Sequence, residues 1–245
     1  MKYWLSILIA LLCAGEVLAA DPVSDFSSAN ELYAKGKFAD AASAYETILQ
    51  SGQVSPNLLF NYGNAEFKTG NVGKAVAAFR QAELLSPRDP EIPANLDFVR
   101  GQVQGSSLHE GRLQGWLGQL TLNEWTLLAA VAFWLTFLLL AARQLRPALA
   151  PRLRWVTGWL IFLTVFFAAV AGAQAVEHFT QHSAVIVGDV VTRTGPFDDA
   201  QNAFAARDGT ELSVLDQHGG WVQVTDGSGK IGWLSTKQVE LIPGA

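Results

Sequence analysis

Two long, mostly apolar stretches, Leu122 to Ala142 and Trp155 to Val176, constrain this chain more than any other feature. About 21 residues at ~1.5 Å of rise each reach ~31 Å, matching a hydrocarbon core of ~30 Å. Buried helices of soluble proteins are rarely so long and so evenly apolar. Residues 122–142 and 155–176 are therefore expected to be transmembrane helices joined by a loop at 143–154. That loop holds Arg143, Arg146, Arg152 and Arg154 and no acidic residue, so the positive-inside rule assigns it to the cytoplasm. Residues 21–110 carry 7 basic and 11 acidic side chains and residues 177–245 carry 4 and 9, so both flanks are expected together on the outer side. With 50% hydrophobic and 16% charged residues, the chain is too apolar to be wholly soluble or disordered. A net charge of −5 gives no electrostatic reason to grip nucleic acid, and no nucleic-acid partner is expected.

The N-terminus adds a third apolar run. Lys2, then Tyr3 to Leu12, then Val17, Leu18, Ala19 and Ala20 predict a signal peptide at 1–20. If that run is kept as an anchor instead, Asp21 onward still emerges on the outer side. Cys13 follows Leu12, where a lipoprotein signal favours a small residue, which argues against a lipid anchor. One cysteine also excludes an internal disulfide and a cysteine metal cage. Leu113, Trp116, Leu117 and Leu120 recur at helical spacing and predict an interfacial helix within a linker at 105–121. Trp116, Trp125, Trp155 and Trp159 fall where bilayer interfaces are expected.

Sliding the sequence against itself by 34 residues aligns Phe26 with Phe60, Ala29 with Gly63, Asn30 with Asn64, Tyr33 with Phe67, Gly36 with Gly70, Ala41 with Ala75 and Tyr45 with Phe79. That period marks a helical hairpin repeat. The small residues let paired helices approach, Tyr45 and Phe79 fill the space between hairpins, and Gly36 and Gly70 make the turns. The pattern resembles the tetratricopeptide repeat, at 22–55 and 56–89 within an all-α domain at 21–104. Pro87 closes the second unit, and Ile48 stands where that unit has Ala82. Two hairpins leave apolar faces open, and Ile92, Leu96, Val99 and Val103 predict a capping helix at 91–104.

The resemblance implies a partner-binding groove lined by Phe26, Asn30, Tyr33, Phe60, Asn61, Asn64 and Phe67. Asn30 and Asn61 match the asparagines of that family's carboxylate clamp. Phe26, Glu91 and Asn95 stand where its basic members would be, so an apolar or helical partner segment is expected. Plain packing between helices is the competing reading for each aromatic.

After His182 the pattern changes to short β-type runs at 184–187, 190–194, 210–215, 221–224 and 230–234, separated by Gly195-Pro196, Asp208-Gly209, Gly219-Gly220 and Asp226-Gly227. Five strands in about 60 residues suit a closed antiparallel barrel. VTRTGP at Val191 to Pro196, GTEL at Gly209 to Leu212, GWVQV at Gly220 to Val224 and GKIGWL at Gly229 to Leu234 resemble the bacterial SH3 domain, here at 183–243. That resemblance implies an exported module that binds peptide or cell-wall material through Arg193, Trp221 and Trp233. Equally open is a structural role, with both tryptophans in the hairpin core and Arg193 as their partner.

Catalytic chemistry has no foothold in the sequence. His109, His178, His182 and His218 have no nucleophile at an arguable spacing, and Glu177 precedes His178 rather than following it, so HExxH is absent. His178 and His182, four apart, would share a helical face if a helix ran through both, but juxtamembrane polar residues are the simpler reading. No phosphate-cradling glycine loop, GxSxG elbow or CxxC occurs. No catalytic residue, metal or cofactor is expected.

The full order is a signal peptide, a tetratricopeptide pair, two spans with an arginine link and an SH3-like barrel. It resembles the BatE family, the E component of the Bacteroides aerotolerance proteins. Leu58 to Arg100, LLFNYGNAEFKTGNVGKAVAAFRQAELLSPRDPEIPANLDFVR, carries the resemblance most specifically. It implies a noncatalytic, multi-pass inner-membrane scaffold with both modules in the periplasm. The implied partners are von Willebrand A-type membrane proteins and, indirectly, a MoxR-type ATPase in stress tolerance. The alternative expectation is a cell-wall-binding or envelope-sensing protein acting through the barrel.

Overall fold

Alanines at repeating positions let the N-terminal helices of the computed structural model pack closely. The structure describes residues 22–103, 117, 119–180 and 182–242, with the backbone alone for 22–24 and 177–180. The expected signal peptide at 1–20, Cys13 included, lies outside the described residues, as does nearly all of the expected linker and interfacial helix at 105–121. Helices α1 (Pro22–Ala34) and α2 (Phe38–Gln50) form one hairpin, α3 (Pro56–Thr69) and α4 (Val72–Leu85) the next, and α5 (Glu91–Arg100) follows. Ala29, Ala41, Ala65 and Ala75 are fully buried, and Tyr45 and Phe79 fill the spaces between them. Truncating a buried ring of this kind costs about 3–5 kcal/mol.

Helix α3 shows how local chemistry sets the boundaries. The Ser55 hydroxyl accepts a hydrogen bond from the Leu58 N–H at 3.2 Å, and Pro56 occupies the first turn. At the other end Gly70 adopts a left-handed φ of 89°, which lets the Asn71 N–H reach the Glu66 carbonyl at 3.0 Å.

Helices α6 (Leu122–Leu145) and α7 (Ala150–Thr180) form an antiparallel pair, with Trp125 against Phe167 and Thr136 against Thr164. Both are long and apolar enough to cross a membrane, and most of their apolar surface is uncovered by the rest of the chain. The loop expected at 143–154 is mostly helical. Arg and Leu are good helix formers, so α6 continues through Arg143, and Pro147 alone forces the break. Pro151 falls in the first turn of α7, where proline is tolerated. His178 lies on α7 while His182 opens a strand, so the two share no helical face.

The C-terminal region has seven strands rather than the five expected: β1 (His182–Ile186), β2 (Val190–Arg193), β3 (Asn202–Ala206), β4 (Glu211–His218), β5 (Trp221–Thr225), β6 (Ile231–Ser235) and β7 (Val239–Ile242). Strand β3, NAFAA, lacks the β-branched residues that signal a strand. Strand β7 is four residues long and directly follows a helical turn at Thr236–Gln238. All pairings are antiparallel, in the order β3-β2-β6-β5-β4-β1-β7. Alternating residues Ala184, Ile186, Leu212, Val222, Val224 and Leu234 form its core.

Candidate functional site

Asparagine chemistry ties the first three helices together. The Asn30 side-chain oxygen accepts a hydrogen bond from the Tyr45 hydroxyl at 2.6 Å and another from the Asn61 amide at 2.9 Å. The two asparagines that match a clamp thus bond to each other across α1 and α3. Burial pushes the Tyr45 phenol up to about 12, so it stays a neutral donor at physiological pH. Asn64 is half-buried on the same helix as Asn61.

Each aromatic of the expected groove touches another ring. Phe26 lies 6.0 Å from Tyr45, Tyr33 5.1 Å from Phe38, Phe60 5.7 Å from Phe79 and Phe67 5.6 Å from Phe98, centroid to centroid. Phe26, Tyr33, Phe60 and Phe67 are all half-buried, so each packs against the domain and still presents an edge. Phe98, 59% exposed, escaped the sequence reading. Its signal was its position off the apolar stripe of Ile92, Leu96 and Val99, which leaves a large ring facing outward.

On the sheet, Arg193, Trp233 and Gln223 stand in one row across β2, β6 and β5. Residues paired this way share a face. Trp221 pairs with Ser235 in the neighbouring row, and both tryptophans are half-buried. The Arg193 guanidinium donates to the Ala200 carbonyl at 3.2 Å and to the Asn202 side-chain oxygen at 2.9 Å, so it braces the β2–β3 connection. Val191 and Ile231, two residues along from Arg193 and Trp233, extend the face with exposed apolar side chains. Alternation along GKIGWL was the available signal for Ile231.

Residues 26–90 match the tetratricopeptide repeat family model, and residues 187–240 match the bacterial SH3 domain model. No curated protein matches the chain. Both are typically noncatalytic modules that bind proteins or peptides, and the SH3 class extends to cell-wall material. Among the described residues no group of three or more metal-ligating side chains comes together.

The tetratricopeptide and SH3 domains are docked onto each other, which nothing in the linear pattern announced. Val185 of β1 and Ile242 of β7 enter one apolar cluster with Ala75, Val76, Phe79, Leu96 and Val99 of α4 and α5. Beside it the Arg100 guanidinium grips Glu211 through two bonds of 3.0 and 2.9 Å, and Glu211 is only 2% exposed. This fork geometry suits a planar carboxylate. Gly73 permits the close approach, since a Cβ there would sit 2.1 Å from the Ile186 carbonyl oxygen. At the rim, Lys74 lies 3.7 Å from Glu46 and 3.6 Å from the buried Glu66. Burial, then Glu66, raises the Tyr62 phenol. The SH3 domain thereby covers an apolar face at the end of the two-hairpin stack.

Proposed function

We propose that this protein is a noncatalytic inner-membrane scaffold that presents its tetratricopeptide and SH3 domains together in the periplasm and assembles a von Willebrand A-type and MoxR-associated stress-tolerance complex. The docked seam carries the reading. Domains that share a core occupy one compartment, and the two apolar helices between them pack antiparallel, returning the chain to the side it left. Arg88, in the turn before α5, pairs with Glu124 at the start of α6, so the helical stack also rests against the mouth of the hairpin. With Arg143, Arg146, Arg152 and Arg154 at the opposite end, the positive-inside rule favours the periplasm for both modules. Holding two modules rigidly together raises their effective concentration for one composite partner.

The named partners come from the BatE resemblance. The residues proposed to hold them are Asn64, Phe67 and Phe98, with the bonded Asn30–Asn61 pair. Cross-linked complexes purified from native membranes are expected to contain a von Willebrand A-type membrane protein. Phe98→Ser, at an exposed ring, should weaken that capture about ten-fold with the helical signal intact. Complexes lacking such a partner would overturn the reading.

A second reading has its own observation. The Trp221, Trp233, Val191 and Ile231 face points away from the core of the sheet, and it supports the reading that the domain takes a cell-wall peptide. Sedimentation of the full chain with purified cell-wall polymer, abolished by Trp233→Ala, would favour that envelope-binding role.

A further inference from the structure

Between Trp125 and Val176 the chain contains Arg143, Arg146, Arg152 and Arg154 and no Asp or Glu. The fold gathers all four at one end of the helical pair. Arg143 lies in the last turn of α6, Arg146 caps that helix, and Arg152 and Arg154 fall in the first turns of α7. Residues 146–149 are all that separates the two helices. Among the described residues none of the four guanidinium groups has an ion-pair partner, and Arg146, Arg152 and Arg154 are exposed.

Four like charges at one end of the helical pair repel one another, and an anion among them relieves that repulsion. What surrounds them narrows the choice of anion. Leu145 is 82% exposed, Trp155 74% and Trp159, one turn further along α7, 63%. In the membrane reading these side chains stand at the bilayer interface, where lipid headgroups are the anions nearest the arginines. An anionic phospholipid satisfies both parts, because its phosphate accepts the guanidinium fork while its glycerol and upper acyl chain cover the indoles.

We propose that the arginine end of the α6–α7 hairpin is a binding site for anionic phospholipid headgroups, with Arg146, Arg152 and Arg154 on the phosphate and Trp155 and Trp159 against the acyl chain. This rests on the membrane reading above. The opposite end is electrostatically different, since its acidic residue Glu124 already holds Arg88. Selectivity for anionic lipid therefore belongs to the arginine end. A juxtamembrane arginine contributes roughly five-fold in affinity for an anionic bilayer surface.

The test places the full chain in phosphatidylcholine nanodiscs and introduces either brominated phosphatidylglycerol or brominated phosphatidylcholine at the same mole fraction. Tryptophan quenching is expected to be several-fold stronger with the brominated phosphatidylglycerol. Arg152→Gln/Arg154→Gln, which removes exposed and unpartnered side chains, should bring quenching by the two lipids close to equal with unchanged helical content. Trp155→Phe/Trp159→Phe should abolish the excess quenching. Added inorganic phosphate should leave the preference in place, and reversal by phosphate would overturn the lipid assignment in favour of a soluble anion. Equal quenching by both lipids, or a preference that survives loss of the two arginines, would overturn the proposal while leaving the membrane reading intact. No quenching by either lipid would remove both.

Discussion

Two seams hold this chain together, and they use opposite chemistry. Between the tetratricopeptide and SH3 domains, large apolar side chains such as Phe79, Leu96 and Ile242 meet beside an Arg100–Glu211 pair whose carboxylate is buried. Between α6 and α7 the buried residues are Trp125, Ala132, Thr136 and Thr157, while Leu127, Trp134, Leu138, Trp159 and Phe162 face outward. In water the apolar side chains gather inside because leaving water is the driving force. In a bilayer that force between helices disappears, so close approach of small residues and a hydrogen bond such as Thr136–Thr164 would decide the packing there. The inverted pattern across the two seams is what supports assigning them to different solvents.

The sharpest way to break the first seam is Arg100→Ala. It strands the Glu211 carboxylate, 2% exposed, without its fork partner. Removing one member of a buried pair costs about 3–5 kcal/mol. Limited proteolysis of the full chain should then release the SH3 domain from the helical stack, while the α6–α7 pair keeps its helical signal. Gly73→Ala attacks the same seam from the backbone, because the new methyl would meet the Ile186 carbonyl oxygen at 2.1 Å and Asp208 Oδ1 at 2.4 Å. Overpacking of this kind costs about 1–3 kcal/mol. Hydrogen exchange should rise in β1 and α4 together and leave α1 and α2 unchanged.

Thr136→Val tests the second seam. The Thr136–Thr164 bond is 3.1 Å long, and hydrogen bonds between helices in membranes contribute about 0.6 kcal/mol. A double-mutant cycle with Thr164→Val in lipid should give a coupling of that size. A coupling several times larger would mean that the pair sits in a setting unlike a bilayer, and the contrast between the seams would weaken.

The two seams also differ in how far the sequence announced them. The 34-residue offset from Phe26/Phe60 to Tyr45/Phe79 marked both hairpins because the same local packing recurs in each. The apolar stretches at 122–142 and 155–176 marked α6 and α7, although helix continuation through Arg143 and Arg152 shrank the expected loop. Trp221, Trp233 and Arg193 were visible through their motifs, while β3 escaped for want of β-branched residues and β7 for its brevity. The domain seam left no periodic trace. Val185 and Ile242 are 57 residues apart in sequence and Glu211 is 111 residues from Arg100, so nothing local records that they meet.

The smallest expected effect lies at the rim of the domain seam, in Glu240 of β7. Partial desolvation raises its carboxyl above the ordinary value, Lys74 opposes the rise, and Glu46 and Glu66 add to it. A carboxyl with a raised folded-state pKa contributes stability below the ordinary carboxylate value and loses it as pH climbs through the raised value. Glu240 is therefore expected to loosen the seam slightly between mildly acidic and neutral pH. Because the residue is exposed, water screens much of the effect. Glu240→Gln should raise the melting temperature of the full chain at neutral pH and leave it nearly unchanged in mild acid, with the gap between the two proteins opening across that window. Lys74→Gln should act in the opposite sense, since Glu46, Glu66 and Glu240 would lose their shared cation. A Glu240→Gln protein that melts lower at neutral pH would mean that attraction to Lys74 outweighs desolvation and like-charge repulsion at this rim.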